Sequence, residues 1–312
     1  MSATGWVLGA VIATNSCIQA QPQSGPEDLT VGQRRLLCDA PADAVTPSLQ
    51  SRADAEALVN EDRFALNAHY NNYILPVSYN RRPNEATWHY PAAPIDSHEI
   101  KFQLSVKVPV TPSLFSGQGR LFAAYTNQSW WQAYNKAVSA PFRETNHMPE
   151  LIYTHQPALS WLGWQVNSLG AALNHQSNGQ SGALSRSWNR VIGDVSLSKG
   201  YWAIEAKAWY RLKEQAKTTI DDPRGDDNPD ITHYLGHGEV LFVHTRFQRN
   251  LSLRLRGNLD TGKGAVEAGA SFPITAKLRG YAQVYYGYGE SLIDYNVKSE
   301  RFSLGFEFTP WL

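Results

Sequence analysis

Apolar and polar residues alternate with a period of two through most of the chain from about residue 65 onward. The clearest segment spans residues 98–108, and its apolar positions are Ile100, Phe102, Leu104, Val106 and Val108. Lys, Gln and Ser stand at most of the positions between them. Because successive side chains of a strand point to opposite faces, the pattern predicts strands with one apolar and one polar face. Similar segments, separated by turn clusters, predict ten to twelve strands.

Alternation is compatible with a soluble β-sandwich and with a transmembrane β-barrel, and two details favour the barrel. The polar faces carry Lys, Arg and Glu, as a polar lumen allows. Aromatic doublets at residues 130–131, 209–210 and 285–286 gather near strand ends, which is typical of interfacial girdles. No run approaches the roughly 20 apolar residues of a membrane helix. We therefore predict an all-β fold, a transmembrane antiparallel β-barrel of about 12 strands.

The N-terminal residues lack this alternation and predict a different organisation. Residues 1–20 are a possible signal segment, although no Lys or Arg precedes their apolar stretch. Residues 21–64 are rich in Pro, Ala, Asp, Glu and Gln, which predicts a short N-terminal extension. We assign residues 65–312 to the transmembrane barrel domain.

Charge and cysteine content exclude several classes of partner and site. The 28 Lys and Arg residues balance 28 Asp and Glu residues, so nothing predicts a nucleic-acid partner. The two cysteines, Cys17 and Cys38, are too few for a disulfide framework or a cysteine-based metal site.

Three residues suited to nucleophilic catalysis lie on the apolar face of one predicted hairpin. His175 and Ser177 are two positions apart, so they share a face of their strand with apolar neighbours. A turn centred on Gly182 would place Asn189 opposite His175, with Cβ atoms about 5 Å apart. Ser177 is then the candidate nucleophile, His175 its general base and Asn189 the group that orients the imidazole. An apolar surface around such a site suits a lipid substrate.

Less specific interpretations of the same residues remain open. His-x-Ser occurs by chance, and a register slip of one residue would move Asn189 to the opposite face. Oxygen atoms of Gln180 and Ser185 near the turn are of the kind that Ca²⁺ accepts. The acidic segment 226–230 resembles a cation loop, but such clusters are more often solvated turns. His147 does not stand out from an ordinary surface histidine.

Several separate strings of sequence carry a family resemblance. They are residues 129–132, 141–146, 174–179, 185–190, 226–231 and 287–296. Together these strings resemble sequences of the outer-membrane phospholipase A family. Members of this family are calcium-dependent barrel lipases of Gram-negative bacteria. The resemblance spans residues 65–312 and implies a twelve-stranded barrel in the outer membrane, with its site near the outer leaflet.

The resemblance also implies an activity and a set of site residues. The family's Ser nucleophile, His base and Asn third member fall on Ser177, His175 and Asn189. Family members hydrolyse sn-1 and sn-2 acyl esters of phospholipids and lysophospholipids, and they act as homodimers. The alternative is a passive outer-membrane pore or structural barrel with a decayed site, and a soluble β-sandwich hydrolase is a third possibility.

Calcium at the dimer interface is a further implication of the resemblance. Carried over, its ligands are Ser139 from one subunit and, from the other, Ser185 and the carbonyl oxygen of Gln180. Asp227 is expected to contribute to the ion site of the resting monomer. A family glutamine that faces the partner within the membrane falls on Asn127.

Departures from the family pattern concentrate near the calcium ligands. The family often has Asp at Gln176 and Gly182 and Arg at Gln180, so we expect a weaker or altered calcium site. A carbonyl ligand at Gln180 would survive that change. Residues 214–225 are an insertion relative to the commonest form of the family, and the sequence assigns it no role.

Overall fold

The computed structural model describes residues 66–111, 114, 118–219, 222, 225–275 and 278–309. The predicted signal segment, 1–20, and the predicted extension, 21–64, lie outside these described residues. Within the described part of the chain, no helix has the length and apolar character needed to cross a membrane.

Twelve long antiparallel strands make up most of the described chain. They are β1 (Asn72–Asn80), β2 (His98–Pro109), β3 (Gly119–Trp131), β4 (Phe142–His155), β5 (Trp164–Ser177), β6 (Ser187–Lys199), β7 (Trp202–Leu212), β8 (Gly238–Arg246), β9 (Arg249–Asn258), β10 (Lys263–Pro273), β11 (Arg279–Tyr288) and β12 (Lys298–Thr309). Each pairs with its neighbours along the chain, and β12 pairs with β1. This last pairing closes the sheet, so the predicted twelve-stranded antiparallel barrel is confirmed.

Short elements complete the described structure. Two short strands, Asn67–Ala68 and Leu159–Trp161, add to β2 and β5 respectively. Single turns of 3-10 helix occupy Glu85–Thr87, Lys136–Val138 and Gly182–Leu184, and one α-helix, α1, spans Ile231–Leu235.

The barrel is apolar outside and polar inside. Leu104 on the outer face of β2 is 54% exposed, whereas Lys101 on the inner face is 0% exposed. β9 and β12 show the same arrangement of an apolar outer face. Their apolar positions are exposed: Leu251, Leu253, Leu255, Phe302, Leu304, Phe306 and Phe308. Lipid supplies the contacts that these side chains lack within the protein, which is the surface of a membrane barrel.

The aromatic doublets divide between the two faces. Trp130, Trp209 and Tyr285 are buried in the barrel interior, while Tyr210 and Tyr286 are exposed on its outer surface. The predicted interfacial girdle can therefore take only one residue of each doublet, and the other packs in the barrel interior. The reason is strand parity, because adjacent residues of a strand must point to opposite faces.

Apolar side chains fill the barrel mouth at the end where β5 meets β6. Ile231 and Leu235 of α1 are buried there together with Leu292 and Tyr295 of the β11–β12 connection. They pack in one cluster with Trp188 of β6. The loops at this end thus form a plug that packs against β6, one of the two strands that carry the site.

A network of buried charges lies inside the barrel near the same end. Arg301 contacts Glu99 and Glu290, each at 2.8 Å, and Lys101 lies 3.1 Å from Glu290. Arg143 adds a second contact to Glu99 at 2.7 Å. Burial acts to raise the pKa of Glu290, but the charges of Arg301 and Lys101 outweigh it and lower the pKa to about 2. We call Glu99, Lys101, Arg143, Glu290 and Arg301 the lumen network.

Candidate active site

The connection between β5 and β6 is built around Asn178, whose side chain is buried. Its Oδ1 accepts hydrogen bonds from the backbone N–H groups of Gln180 and Arg186, and its Nδ2 donates to the carbonyl of Leu184 at 2.8 Å. Gly179 follows with φ 66°, a conformation that favours glycine. The loop is therefore fixed by one amide, and this sets the register of the two strands.

The register places the predicted residues together. His175 is the direct partner of Asn189, and Ser177 is the direct partner of Ser187. The prediction of a hairpin with Asn189 opposite His175 is thus confirmed. Because all these residues share one face, their side chains project from the same patch of the barrel wall.

Ser177, His175 and Asn189 are called the trio below. A hydrogen bond joins two of them, His175 and Asn189. His175 Nδ1 lies 2.8 Å from Asn189 Oδ1. An amide oxygen only accepts, so Nδ1 must carry the hydrogen and donate it. In the neutral imidazole, Nε2 is then left with a free lone pair and can act as a base.

The trio lies on the lipid-facing side of the barrel. Leu173 and Val191, which flank His175 and Asn189 on the same face, are both exposed. Ser177 lies two residues beyond His175, and no described residue forms a hydrogen bond with its hydroxyl. This oxygen is therefore open to a ligand that approaches from the membrane.

Another histidine stands beside Ser177 and was missed by the sequence reasoning. His147 of β4 is the direct strand partner of Ser177. Its Nδ1 lies 2.6 Å from the Tyr125 hydroxyl, and its opposite edge approaches Gly179. β4 and β5 are consecutive strands, but the sequence analysis assigned no register to this pair, so His147 was not placed opposite Ser177.

Glu214 is the second residue that sequence reasoning did not assign. Its Oε1 accepts a hydrogen bond of 2.9 Å from Asn189 Nδ2. Glu214 is the first residue of the insertion 214–225, and it extends the hydrogen-bonded chain of His175 and Asn189 by one carboxylate.

The predicted calcium residues Ser185 and Asp227 are in contact. Ser185 Oγ donates to Asp227 Oδ2 at 2.8 Å, and Ser187 Oγ donates to the same oxygen at 3.1 Å. The ammonium group of Lys217 forms an ion pair with the other oxygen of Asp227. Hydroxyl and carboxylate oxygens are the ligands that a hard cation takes, and an ion bound to Asp227 would displace the ammonium group of Lys217. The residues present therefore fit a calcium site.

Neither Ser139 nor Gln180 is hydrogen-bonded to Ser185 or Asp227. Ser139 is exposed in the β3–β4 connection with φ 61°, and Gln180 is exposed in the β5–β6 connection. One chain thus places the four predicted calcium residues in three connections at the same end of the barrel. Groups of three or more His, Cys, Asp or Glu residues that could hold a metal are absent from the described residues.

Gln176 does not belong to the calcium region. Its side chain faces the barrel interior, where Oε1 accepts hydrogen bonds from Trp188 Nε1 at 2.9 Å and from Arg190 at 3.2 Å. Residue 176 therefore does not coordinate the ion from this position, because of its inward parity on β5. The expectation that the family's Asp here affects calcium stays a prediction.

The fold and the site together define a class of protein, a transmembrane β-barrel with a Ser-His-Asn group on its outer, apolar surface. Comparison with known proteins narrows the class. The family model for phospholipase A1 matches residues 49–308. A phospholipase A1 of Klebsiella pneumoniae is 36% identical over 279 residues, which is 86% of this chain and 94% of the relative.

Solved structures agree with this match. The outer membrane phospholipase A of Escherichia coli is 35% identical, with a TM-score of 0.72 over 80% of this chain and 100% of that one. The Salmonella typhi outer membrane phospholipase, solved as a dimer with bound calcium, is 35% identical with a TM-score of 0.73, over 80% of this chain and 94% of that one. This chain belongs to the phospholipase A1 family, and it is an outer-membrane β-barrel that hydrolyses phospholipid esters.

Proposed function

We propose that this chain hydrolyses both the sn-1 and the sn-2 acyl esters of phospholipids and lysophospholipids by a Ser-His-Asn mechanism. The observation that carries the proposal is the hydrogen bond between His175 Nδ1 and Asn189 Oδ1, next to Ser177 on the lipid-facing surface. An acyl ester in the outer leaflet lies against this surface, so substrate and nucleophile meet without either leaving the membrane.

The trio can perform the two steps of acyl transfer. His175 Nε2 removes the proton of Ser177 as Oγ attacks the ester carbonyl carbon, and a tetrahedral intermediate forms. On collapse, the bond to the glycerol oxygen breaks, and His175 gives the proton to that oxygen. Water then attacks the acyl-Ser177 ester with His175 again as base, releasing the fatty acid and restoring the hydroxyl.

Asn189 holds the imidazole in the required tautomer through both steps. It carries no charge, so it stabilises the imidazolium less than a carboxylate would. The positive charge of the His175 imidazolium and the negative charge on the carbonyl oxygen of the tetrahedral intermediate therefore need other partners.

Calcium is the proposed partner for the carbonyl oxygen. Ser185 and the carbonyl of Gln180 would hold the ion together with Ser139 of the partner subunit, and Asp227, which contacts Ser185, would contribute to the ion site of the resting monomer. Bound there, Ca²⁺ supplies positive charge that offsets the charge developing on the substrate. The donor cluster of Ser185 and Asp227 supports this assignment, as does the exposure of Ser139 to a second molecule.

A homodimer is the proposed active form. Asn127 projects from the outer face of β3, where it pairs with Leu104 on one side and His147 on the other. Its Oδ1 accepts a hydrogen bond of 3.1 Å from Ser129 Oγ, but its NH₂ group has no partner among the described residues. A donor left open in an apolar membrane surface is costly, and an acceptor on a second copy of the chain would pair it. The Salmonella typhi relative, solved as a calcium-bound dimer, supports the same assembly.

The alternative of a passive pore receives less support. Apolar residues of α1 and the β11–β12 connection occupy the barrel mouth, and the lumen network lies beside them. The outward-facing trio has no role in conduction.

Fatty-acid release from mixed micelles tests the proposal. The detergent-folded protein should release fatty acid from both positions with calcium, and chelation should abolish release. Ser177→Ala should remove the activity but keep a heat-modifiable barrel, and Ser160→Ala, an exposed serine at the opposite end of the barrel, is the control. Undiminished hydrolysis by Ser177→Ala would refute the mechanism. Monomers that turn over as fast as dimers would refute the dimer requirement.

A further inference from the structure

The carboxylate of Glu214 extends the site beyond the trio. We propose that Glu214 is a positioning residue, which fixes the amide of Asn189 and thereby the tautomer of His175. This inference rests on the proposed function of the trio, and it gives the insertion 214–225 a part in that function.

Strand geometry explains how Glu214 reaches the site. Asn189 on β6 is the direct partner of Leu212, the last residue of β7. Glu214 is two residues further along, so it is the diagonal neighbour of Asn189. Diagonal neighbours on one face lie about 7–8 Å apart, within reach of a long side chain. The 2.9 Å contact between Asn189 Nδ2 and Glu214 Oε1 is the result.

The backbone around Glu214 is held in place. The N–H of Asp226 donates to the carbonyl of Gln215 at 2.8 Å, which joins the two ends of the insertion. Gly225 makes this approach possible, because its φ is 103° and a Cβ there would lie 2.9 Å from the Gln215 oxygen. Arg211 adds an ion pair to Asp226. Glu214 is therefore presented by a fixed segment.

The chemistry of the amide gives this contact its significance. A carboxylate accepts hydrogen bonds, so Glu214 requires the NH₂ group of Asn189 to face it. The amide oxygen must then face His175, and it accepts the hydrogen of Nδ1. If the amide were rotated by 180°, its oxygen would face the carboxylate and its NH₂ would face the imidazole.

The rotated amide would also reverse the imidazole tautomer. Nδ1 would then accept a hydrogen bond, and the hydrogen would move to Nε2. Nε2 is the atom that must remove the proton of Ser177, so this tautomer is inactive as a base. Glu214 thus excludes the inactive arrangement without contacting the substrate.

Two substitutions at Glu214 test the proposal. Glu214→Ala should lower kcat about tenfold and leave KM unchanged. Glu214 acts on the base His175 only through Asn189, so its loss removes part of the effect of general base catalysis. Glu214→Gln retains an acceptor oxygen and should restore kcat to within about threefold of the wild type. Lys213→Ala, an exposed neighbouring residue, is the control and should match the wild type. Heat modifiability should be unchanged in all of these variants.

An Asn189→Asp background separates positioning from a general effect of the loop. Its carboxylate accepts from His175 with either oxygen and has no NH₂ to orient. Glu214→Ala should therefore cause no loss of kcat in this background. A tenfold loss there would overturn the proposal, and so would a wild-type kcat for Glu214→Ala alone or equal losses in the Ala and Gln variants.

Failure of the trio itself would give a different result. Ser177→Ala, assayed in the same preparation, reports on the proposed nucleophile alone. If Ser177→Ala is inactive while Glu214→Ala equals the wild type, the trio stands and the positioning role is wrong.

Discussion

The lumen network and the outer trio are both polar groups in a barrel wall, but they differ in how their hydrogen-bonding capacity is used. In the lumen, Arg301 and Lys101 are paired with buried carboxylates at 2.8–3.1 Å. On the outer surface, His175 has a partner at Nδ1, while the Ser177 hydroxyl has none among the described residues.

This difference separates a structural role from a chemical one. Buried charges are tolerated when each has a partner of opposite charge, and the charges of the lumen network are paired with one another. Polar groups on a lipid-facing surface are costly when left open. The Ser177 hydroxyl and Nε2 of His175 lack partners among the described residues of the free protein, and we explain this by a substrate that interacts with them when it binds. Substitutions in the two regions should separate activity from stability.

His175→Ala should give the largest effect. We expect ester hydrolysis to fall by about 10³–10⁴-fold, because Ser177 loses its general base. The urea midpoint of unfolding should stay unchanged, since His175 is exposed. Fatty-acid release and equilibrium unfolding of the same sample measure the two quantities. His155→Ala, at the opposite end of β4, is the control, and equal activity losses in both variants would contradict the assignment.

Arg301→Ala should have the reverse profile. Removal of the guanidinium leaves the buried Glu290 without its main partner and Glu99 with Arg143 alone, which costs about 3–5 kcal/mol of unfolding free energy. Arg81→Ala is the matched control, because Arg81 pairs with Glu300 on the surface and is worth about 1 kcal/mol or less. Equal stability losses from both substitutions would show that burial of the network is unimportant.

The lumen network should also make stability depend on acid pH. The pKa of Glu290 is lowered to about 2 in the folded protein, from an ordinary value of 4.5. The stabilisation is complete above about pH 4.5 and is lost as pH falls toward 2, on the order of 3 kcal/mol in total. Unfolding measured across this range should show the loss in the wild type. Glu290→Gln should flatten the curve, and an unchanged slope would refute the role of this carboxyl.

The strands and their faces could be predicted from sequence because alternation is a local property. Residues 98–108 show their inner and outer faces directly, and the turn around Gly182 fixes the partner of His175. The same parity rule, applied to every residue, would also have divided the aromatic doublets and turned Gln176 inward.

Contacts for which the sequence analysis had no register limited the prediction of the site. His147 reaches Ser177 only because β4 pairs with β5 in one register, and Lys217 reaches Asp227 only because the insertion folds back on itself. Glu214 lies between these cases. Its diagonal relation to Asn189 follows from the β6–β7 register, but an irregular insertion gave no reason to extend the strand beyond Leu212.

The central claim is that Ser177 is a nucleophile on the outer surface, activated by His175. A serine-directed fluorophosphonate, added to the folded protein with calcium and followed by peptide mass spectrometry, tests it most directly. We predict one adduct, on the peptide that contains Ser177, and its loss in His175→Ala. Labelling of another serine with Ser177 unmodified, or equal labelling of the His175→Ala variant, would contradict the account.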